Sequence, residues 1–190
     1  MIKKCDFKNP TADYFYALAP YSKYKVKYPE GDTLKNEYNA ELGDHDYISL
    51  ISREKYTAGV EIYARFRFEG LGAPCLAFTD DVEESEDFPV YGKHFEVCIY
   101  KDGVNVWRVV PYPPRVERPI KPTKLYFENW TVSSEDVECT VKFGKRSITV
   151  SVEGHEFTVE NEEFPDSFRL GFTACEGLCE FKIFEVRCSE

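Results

Sequence analysis

The stretch His94–Arg108, HFEVCIYKDGVNVWR, carries the greatest chemical variety per residue in the chain. It reads as a β-hairpin. Asp102-Gly103 is a strong two-residue turn signal, because both central residues of a type I′ turn need positive φ. That turn sets Tyr100 opposite Asn105, Ile99 opposite Val106 and Cys98 opposite Trp107. Side chains alternate across a strand. One face then holds Phe95, Val97, Ile99, Val106 and Val110, with Arg108 as its only charge, and wants a core. The other presents His94, Glu96, Cys98, Tyr100, Asn105 and Trp107. An imidazole, a carboxylate, a phenol, a carboxamide and an indole together are what a sugar-binding or catalytic surface offers. The plainer reading is a solvated face, since antiparallel sheets commonly keep one side wet.

Glu61 and Glu96 are the carboxylate candidates for catalysis, each on the polar face of an expected strand. Glycoside hydrolysis needs two carboxyl groups about 5 to 9 Å apart, one as acid and one as base or nucleophile. Arg65 or His94 nearby would tune them. The alternative is an ordinary Glu61–Arg65 ion pair along one strand. Trp107, Trp130, Tyr63 and Tyr100 are candidates for stacking on the apolar C–H faces of a sugar, with Asn105, Arg65 and His94 binding its hydroxyls. Cys175 and Cys179 have the spacing C-x₃-C, but zinc would need further ligands, and only Cys188 is near in sequence. No metal and no cofactor are expected. Cys98 and His94 lie four strand positions apart, about 13 Å by the usual rise, which is too far for a dyad. No Ser–His–Asp motif, phosphate loop or dinucleotide fingerprint is present.

The elements that must position these residues are strands. The chain has 190 residues, which suits one domain, with residues 1–46 as a Tyr-rich extended segment packed on it and a short helical turn near Ala12–Leu18. Aromatics make up 16% of it, a bias that favours pleated surfaces over helices. Tyr47–Arg53 and Cys75–Thr79 read as strands. In Tyr56–Glu69, Val60, Ile62, Ala64, Phe66 and Phe68 point one way and Glu61, Tyr63, Arg65 and Arg67 the other, until Gly70-Leu71-Gly72 breaks the strand. The acidic run at 80–87 reads as a solvated loop. Residues 111–122 hold five prolines, so they form a stiff connection that could wall a cleft beside Trp107. Leu125–Trp130, Val137–Phe143, Ser147–Val152, Glu156–Val159, Phe168–Thr173 and Glu180–Arg187 complete the set. The expected fold is all-β: a two-sheet antiparallel sandwich or jelly roll.

A net charge of −10 argues against nucleic acid or an anionic membrane as partner. Seven scattered cysteines, with no apolar segment behind MIKK, point to reduced thiols in a cytoplasmic protein.

Strand order carries a resemblance. GVEIYARFRF (59–68), HFEVCIYKDGVNVWRV (94–109), SITVSVEGHEFTV (147–159) and RLGFTACEGLCEFKIFEVR (169–187) together resemble the concanavalin A-like lectin/glucanase superfamily. The resemblance runs from about residue 47 to the C-terminus and implies a jelly roll whose concave sheet holds sugars. The glucanase E-x-D-x-x-E strand, the galectin H-x-N-P-R strand and the legume-lectin metal loop are missing. The expectation is therefore a protein that binds a carbohydrate or similar small polar ligand on the concave sheet. The alternatives are a glycoside hydrolase using Glu61 and Glu96, and a structural sandwich that forms homo-oligomers through its aromatic face.

Overall fold

The structure, a computed structural model, describes residues 1–17, 31–36, 38–39, 44–45, 47–83, 89–111, 120–133 and 135–188. In chain order the strands are β1 (Ile2–Lys4), β2 (Tyr14–Tyr16), β3 (Leu34–Lys35), β4 (Tyr38–Asn39), β5 (Asp44–His45), β6 (Ile48–Ser52) and β7 (Tyr56–Thr57). Then come β8 (Val60–Gly72), β9 (Cys75–Thr79), β10 (Val82–Glu83), β11 (Val90–Tyr91), β12 (His94–Tyr100), β13 (Gly103–Pro111) and β14 (Ile120–Asn129). The chain closes with β15 (Val137–Gly144), β16 (Ser147–Val152), β17 (His155–Glu160), β18 (Ser167–Ala174) and β19 (Glu176–Cys188). The helical turn expected near Ala12–Leu18 does not form: a 3₁₀ turn covers Pro10–Ala12 and Tyr14–Tyr16 make β2, while Leu18 lies outside the described residues. No helix among the described residues is long and apolar enough to cross a membrane.

Two antiparallel sheets dominate. One runs β1-β19-β8-β15-β16-β17, with β3 also on β19; the other runs β14-β13-β12-β9-β18-β6-β2, with β7 on β18. The all-β sandwich expected from the sequence is what forms. The two inner faces share one core. Ile62, Ala64, Phe66 and Phe68 of β8 meet Phe78, Phe95, Val97, Val106 and Phe172 of the second sheet. The period-2 pattern of β8 dictates this, because every second residue is buried from Val60 to Phe68. Each of the Val, Ile and Phe side chains in this row contributes about 1.5–3 kcal/mol by leaving water.

Three local expectations are corrected. The β12–β13 turn is centred on Lys101-Asp102, so Tyr100 pairs with Gly103, Cys98 with Asn105 and Glu96 with Trp107. The partners shift by two residues and the faces are preserved, because the side-chain period is two. Gly103 serves backbone approach instead of the turn. Its φ is +138°, and a Cβ there would lie 2.0 Å from the Glu128 carbonyl oxygen of β14. Second, β8 runs on through Gly70 to Gly72, which pairs with Glu176; the positive φ of Gly70 bends the strand without ending it. Third, the Pro-rich connection enters the sheet: β13 pairs through Pro111, and β14 begins at Ile120 and includes Pro122. Proline is tolerated there because β14 is an edge strand. Residues 112–119, the second half of the acidic run and Tyr21, Tyr24 and Tyr28 lie outside the described residues.

The outer face of the first sheet is laced by cross-strand ion pairs. Arg65 forks onto Asp136 at 2.6 and 3.1 Å, and Lys182 reaches the same carboxylate at 2.6 Å. Arg187 pairs with Glu61 at 3.2 Å and with Glu185 at 3.1 Å, and lies 4.2 Å from the centre of the Tyr63 ring. Arg65 and then Lys182 hold the Asp136 carboxyl down at about 2.

Two outcomes test this description. Gly103→Ala should destabilise the protein by roughly 2 kcal/mol or more in urea unfolding, through strain at positive φ and the clash with β14; a loss below about 0.5 kcal/mol contradicts the close approach. Asp136 has a depressed folded-state pKa, so its contribution is present above its ordinary value of 3.8 and disappears as pH falls toward about 2. Asp136→Asn, tolerated at φ +57°, should flatten the dependence of stability on pH across that interval, and an unchanged acid-unfolding profile would refute the network.

Candidate functional site

The outer face of the second sheet is built differently. Adjacent positions across its strands align Ser49, Thr173, Cys75, Cys98 and Asn105 in one row. The next row is Ile51, Gly171, Ala77, Glu96 and Trp107. The small residues of that second row leave room for β11 to fold over the sheet. Tyr91 lies against Gly171 so closely that a Cβ there would meet its hydroxyl at 2.4 Å. The Tyr91 ring stacks on His94 at 4.9 Å between centroids.

This cover overturns the solvated reading of the face. His94 is fully buried, and Glu96, Cys98 and Asn105 are buried with it. His94 Nδ1 lies 2.9 Å from the Gly92 carbonyl oxygen and Nε2 lies 3.1 Å from Glu96 Oε1. The other oxygen of Glu96 is 3.6 Å from Cys98 Sγ. Asn105 keeps a buried carboxamide oxygen that has no hydrogen-bond partner.

Beside this buried patch the surface opens into a cleft of about 330 Å³. Tyr47, Tyr100 and Trp107 supply aromatic walls, Glu96 and Glu176 supply carboxylates, and Pro122 closes the β14 side. Lys124 lies 5.1 Å from the centre of the Trp107 ring. The thiols of Cys75, Cys98 and Cys175 also line it. Cys75 Sγ is 2.9 Å from Cys98 Sγ and 3.6 Å from Cys175 Sγ. Cys75 and Cys175 both donate to the Ala73 carbonyl oxygen at 3.1 Å.

Cys175 reaches the cleft because β18 crosses from one sheet to the other through Cys175-Glu176-Gly177. Glu176 adopts φ +57° and Gly177 φ +33°, and a Cβ on Gly177 would sit 2.4 Å from the Gly72 amide nitrogen. Asn36 clamps this corner, donating to the Gly177 carbonyl at 2.8 Å and accepting from the Cys179 amide at 2.7 Å.

Hydrogen bonds with Cys175 and Cys98 push the Cys75 thiol far up, with burial adding to them. Burial pushes Cys98 up to about 12. The hydrogen bond with Cys75 is the largest single effect on Cys175 and lowers it, but burial together with the Glu96 and Glu176 charges leaves the thiol raised. At neutral pH these are thiols, not thiolates, so in this state the cluster is a poor nucleophile.

The structure sorts the sequence candidates. His94, Glu96, Tyr100, Asn105 and Trp107 come together on one face, as expected. Glu61, Tyr63 and Arg65 lie on β8 in the other sheet. Glu61 and Glu96 therefore cannot act as an acid/base pair: β8 and β12 point their acidic side chains to opposite outer faces of the sandwich. Glu61 is engaged with Arg187 and, at 3.9 Å, with Lys142, and Arg65 pairs with Asp136 instead of Glu61. Trp130 stacks on His155 at 4.4 Å, where its buried indole nitrogen has no partner. Cys179 is fully buried and bonds the Cys175 carbonyl oxygen at 3.0 Å, so the C-x₃-C pair does not converge on a common ligand. Cys75, Glu176 and Tyr47 were missed, and Cys175 was paired with Cys179 instead of with Cys75. Their only sequence signal is register: Cys75 faces Cys98 across β9 and β12, and that depends on a pairing between strands distant in the chain.

No protein-family model and no curated protein sequence matches the chain. Solved structures do. A carbohydrate binding module, CBM66, from Bacillus subtilis superposes with a TM-score of 0.54 at 7% identity, over 80% of this chain and 92% of that one. A glycoside hydrolase family 16 endo-glucanase from Bacteroides ovatus gives 0.55 at 13% identity, over 84% and 83%. β-Agarase A from Zobellia galactanivorans gives 0.58 at 7% identity, over 93% and 82%. At such identities the likeness is one of fold, and it agrees with the strand order read from the sequence: the chain folds as a two-sheet antiparallel jelly-roll β-sandwich.

Proposed function

We propose that this protein binds a carbohydrate in the cleft on the outer face of its second sheet, without hydrolysing it through the Glu61 and Glu96 carboxylates. The observation that carries the reading is the composition of the cleft: aromatic rings on its walls with carboxylates between them. Trp107 and Tyr100 offer flat apolar surfaces to the C–H faces of a sugar ring, and Glu96 and Glu176 offer acceptors to its hydroxyls. The likeness of the fold to a carbohydrate binding module and to glycan-cleaving enzymes supports the same ligand class.

Size narrows the ligand. A volume of about 330 Å³ stands at the small end of ligand pockets, which run about 300–1,000 Å³. It suits one or two sugar units better than a long chain laid across the sheet. The ligand is neutral or carries a cation, since Glu96 and Glu176 would repel an acidic sugar.

Glycan-array screening followed by calorimetry tests this. The wild type should bind at least one neutral mono- or disaccharide epitope. Trp107→Ala should weaken that binding by roughly tenfold, about 1.4 kcal/mol. Tyr63→Ala, on the other sheet, should leave it unchanged. Absence of binding to every neutral glycan, or equal weakening by Tyr63→Ala, would overturn the proposal.

A further inference from the structure

The cysteines beside the cleft form an arrangement that sugar binding does not use. Cys75 on β9 and Cys98 on β12 are direct cross-strand partners, and Glu96 stands two residues before Cys98 on the same face. One sulfur from each cysteine and one carboxylate oxygen of Glu96 lie within 4.8 Å of one another, all three residues being buried. Cys175 enters from the corner between β18 and β19. We propose that Cys75, Cys98 and Glu96 bind a divalent cation of the zinc class, with Cys175 as the fourth donor. This inference does not depend on the carbohydrate reading.

Cys75, Cys98 and Glu96 already lie within bonding reach of one ion, and Cys175, which stands outside that group, must swing toward it to complete the set. Zinc–sulfur bonds of about 2.3 Å in a tetrahedron place sulfurs about 3.8 Å apart. Cys75 and Cys175 already stand at 3.6 Å. Cys75 and Cys98, at 2.9 Å, need to open by about 0.9 Å to reach that separation. On binding, the three thiols lose their protons to solvent and three metal–sulfur bonds form, with the Glu96 carboxylate completing the set.

The outer shell is also present. Metal-binding carboxylates are oriented by hydrogen bonds to their second oxygen. His94 holds Glu96 Oε1, leaving Oε2 on the side of Cys98. His94 is itself fixed by the Gly92 carbonyl and by stacking under Tyr91. The cleft gives the ion a path from solvent.

Donor chemistry selects the ion. Three sulfurs exclude calcium and magnesium, which take oxygen ligands. The carboxylate sets zinc apart from copper(I), which sulfur alone would satisfy. A cross-strand disulfide between Cys75 and Cys98 is the competing use of this pair. It would leave unexplained why a buried carboxylate, backed by a buried histidine, is turned toward the thiols. A buried carboxylate gains most from a cation beside it.

Cobalt(II) is the probe, added to reduced, chelator-treated full-length protein and then displaced by zinc. One cobalt per chain should bind, with thiolate-to-cobalt charge-transfer absorption that zinc abolishes. Cys98→Ser should weaken binding at least tenfold. Cys175→Ser should lower the charge-transfer intensity by about a third, since one of three thiolates is lost. Glu96→Gln keeps the shape of the side chain and should weaken binding about tenfold while circular dichroism stays that of the wild type. Cys188→Ser, outside the cluster, should change nothing. Absence of charge transfer in the wild type, or wild-type affinity in Cys98→Ser, overturns the site. So does loss of binding in Cys188→Ser, or a reduced protein that ignores cobalt yet forms the Cys75–Cys98 disulfide in air.

Discussion

The candidate site depends on one packing contact: Tyr91 lying flat across the second sheet above Gly171. A side chain at Gly171 would displace the Tyr91 hydroxyl, which Ser49 contacts at 3.2 Å while Ser49 itself meets Thr173 at 2.8 Å. With Tyr91 in place, a face that alternation alone would leave wet becomes an interior. His94 loses all contact with solvent, and every polar group around it must find a partner inside the protein.

That requirement fixes where a proton sits. The Gly92 carbonyl oxygen can only accept, so His94 Nδ1 donates to it. Nε2 stands 3.1 Å from Glu96 Oε1 and engages that oxygen. The second oxygen of Glu96 faces the Cys98 thiol at 3.6 Å. A residue held this way positions a ligand well. It makes a poor half of a glycosidase pair, whose partner would have to stand on the same face.

The sequence made faces legible and hid neighbours. Alternation in β8 and β12 placed Phe66, Phe95 and Val97 in the core and grouped His94, Glu96 and Trp107 correctly, because period two survives even a wrong turn. The partner of each residue depended on where the turn closes, and Gly103 misled there: its glycine is required by the Glu128 carbonyl of a third strand, which no local signal reports. Assignment of Glu61 and Glu96 to one cleft failed for a related reason. Both are acids on polar faces, but a sandwich has two polar faces, and only long-range pairing decides which strand joins which sheet. The cysteines were hidden most completely, since Cys75, Cys98 and Cys175 meet through strands that are neighbours only in the sheet.

The contrast between the two outer faces argues for where function resides. On the first sheet, Arg65, Arg187 and Lys182 neutralise Asp136, Glu61 and Glu185 across the strands, and exposed pairs of this kind are screened by solvent and contribute little. Such a face keeps its charges paired and in contact with water. On the second sheet, carboxylate, imidazole and thiols are withdrawn from water, which is unfavourable unless something is gained. Nothing in the stability of a jelly roll asks for a buried Glu–His pair next to three thiols, since apolar side chains of the same volume would pack there at lower cost. The polar groups on this face are therefore best understood through what enters the cleft: a sugar against Trp107 and Tyr100, or a metal ion against Cys75, Cys98 and Glu96, with Glu96 the one side chain that both would use.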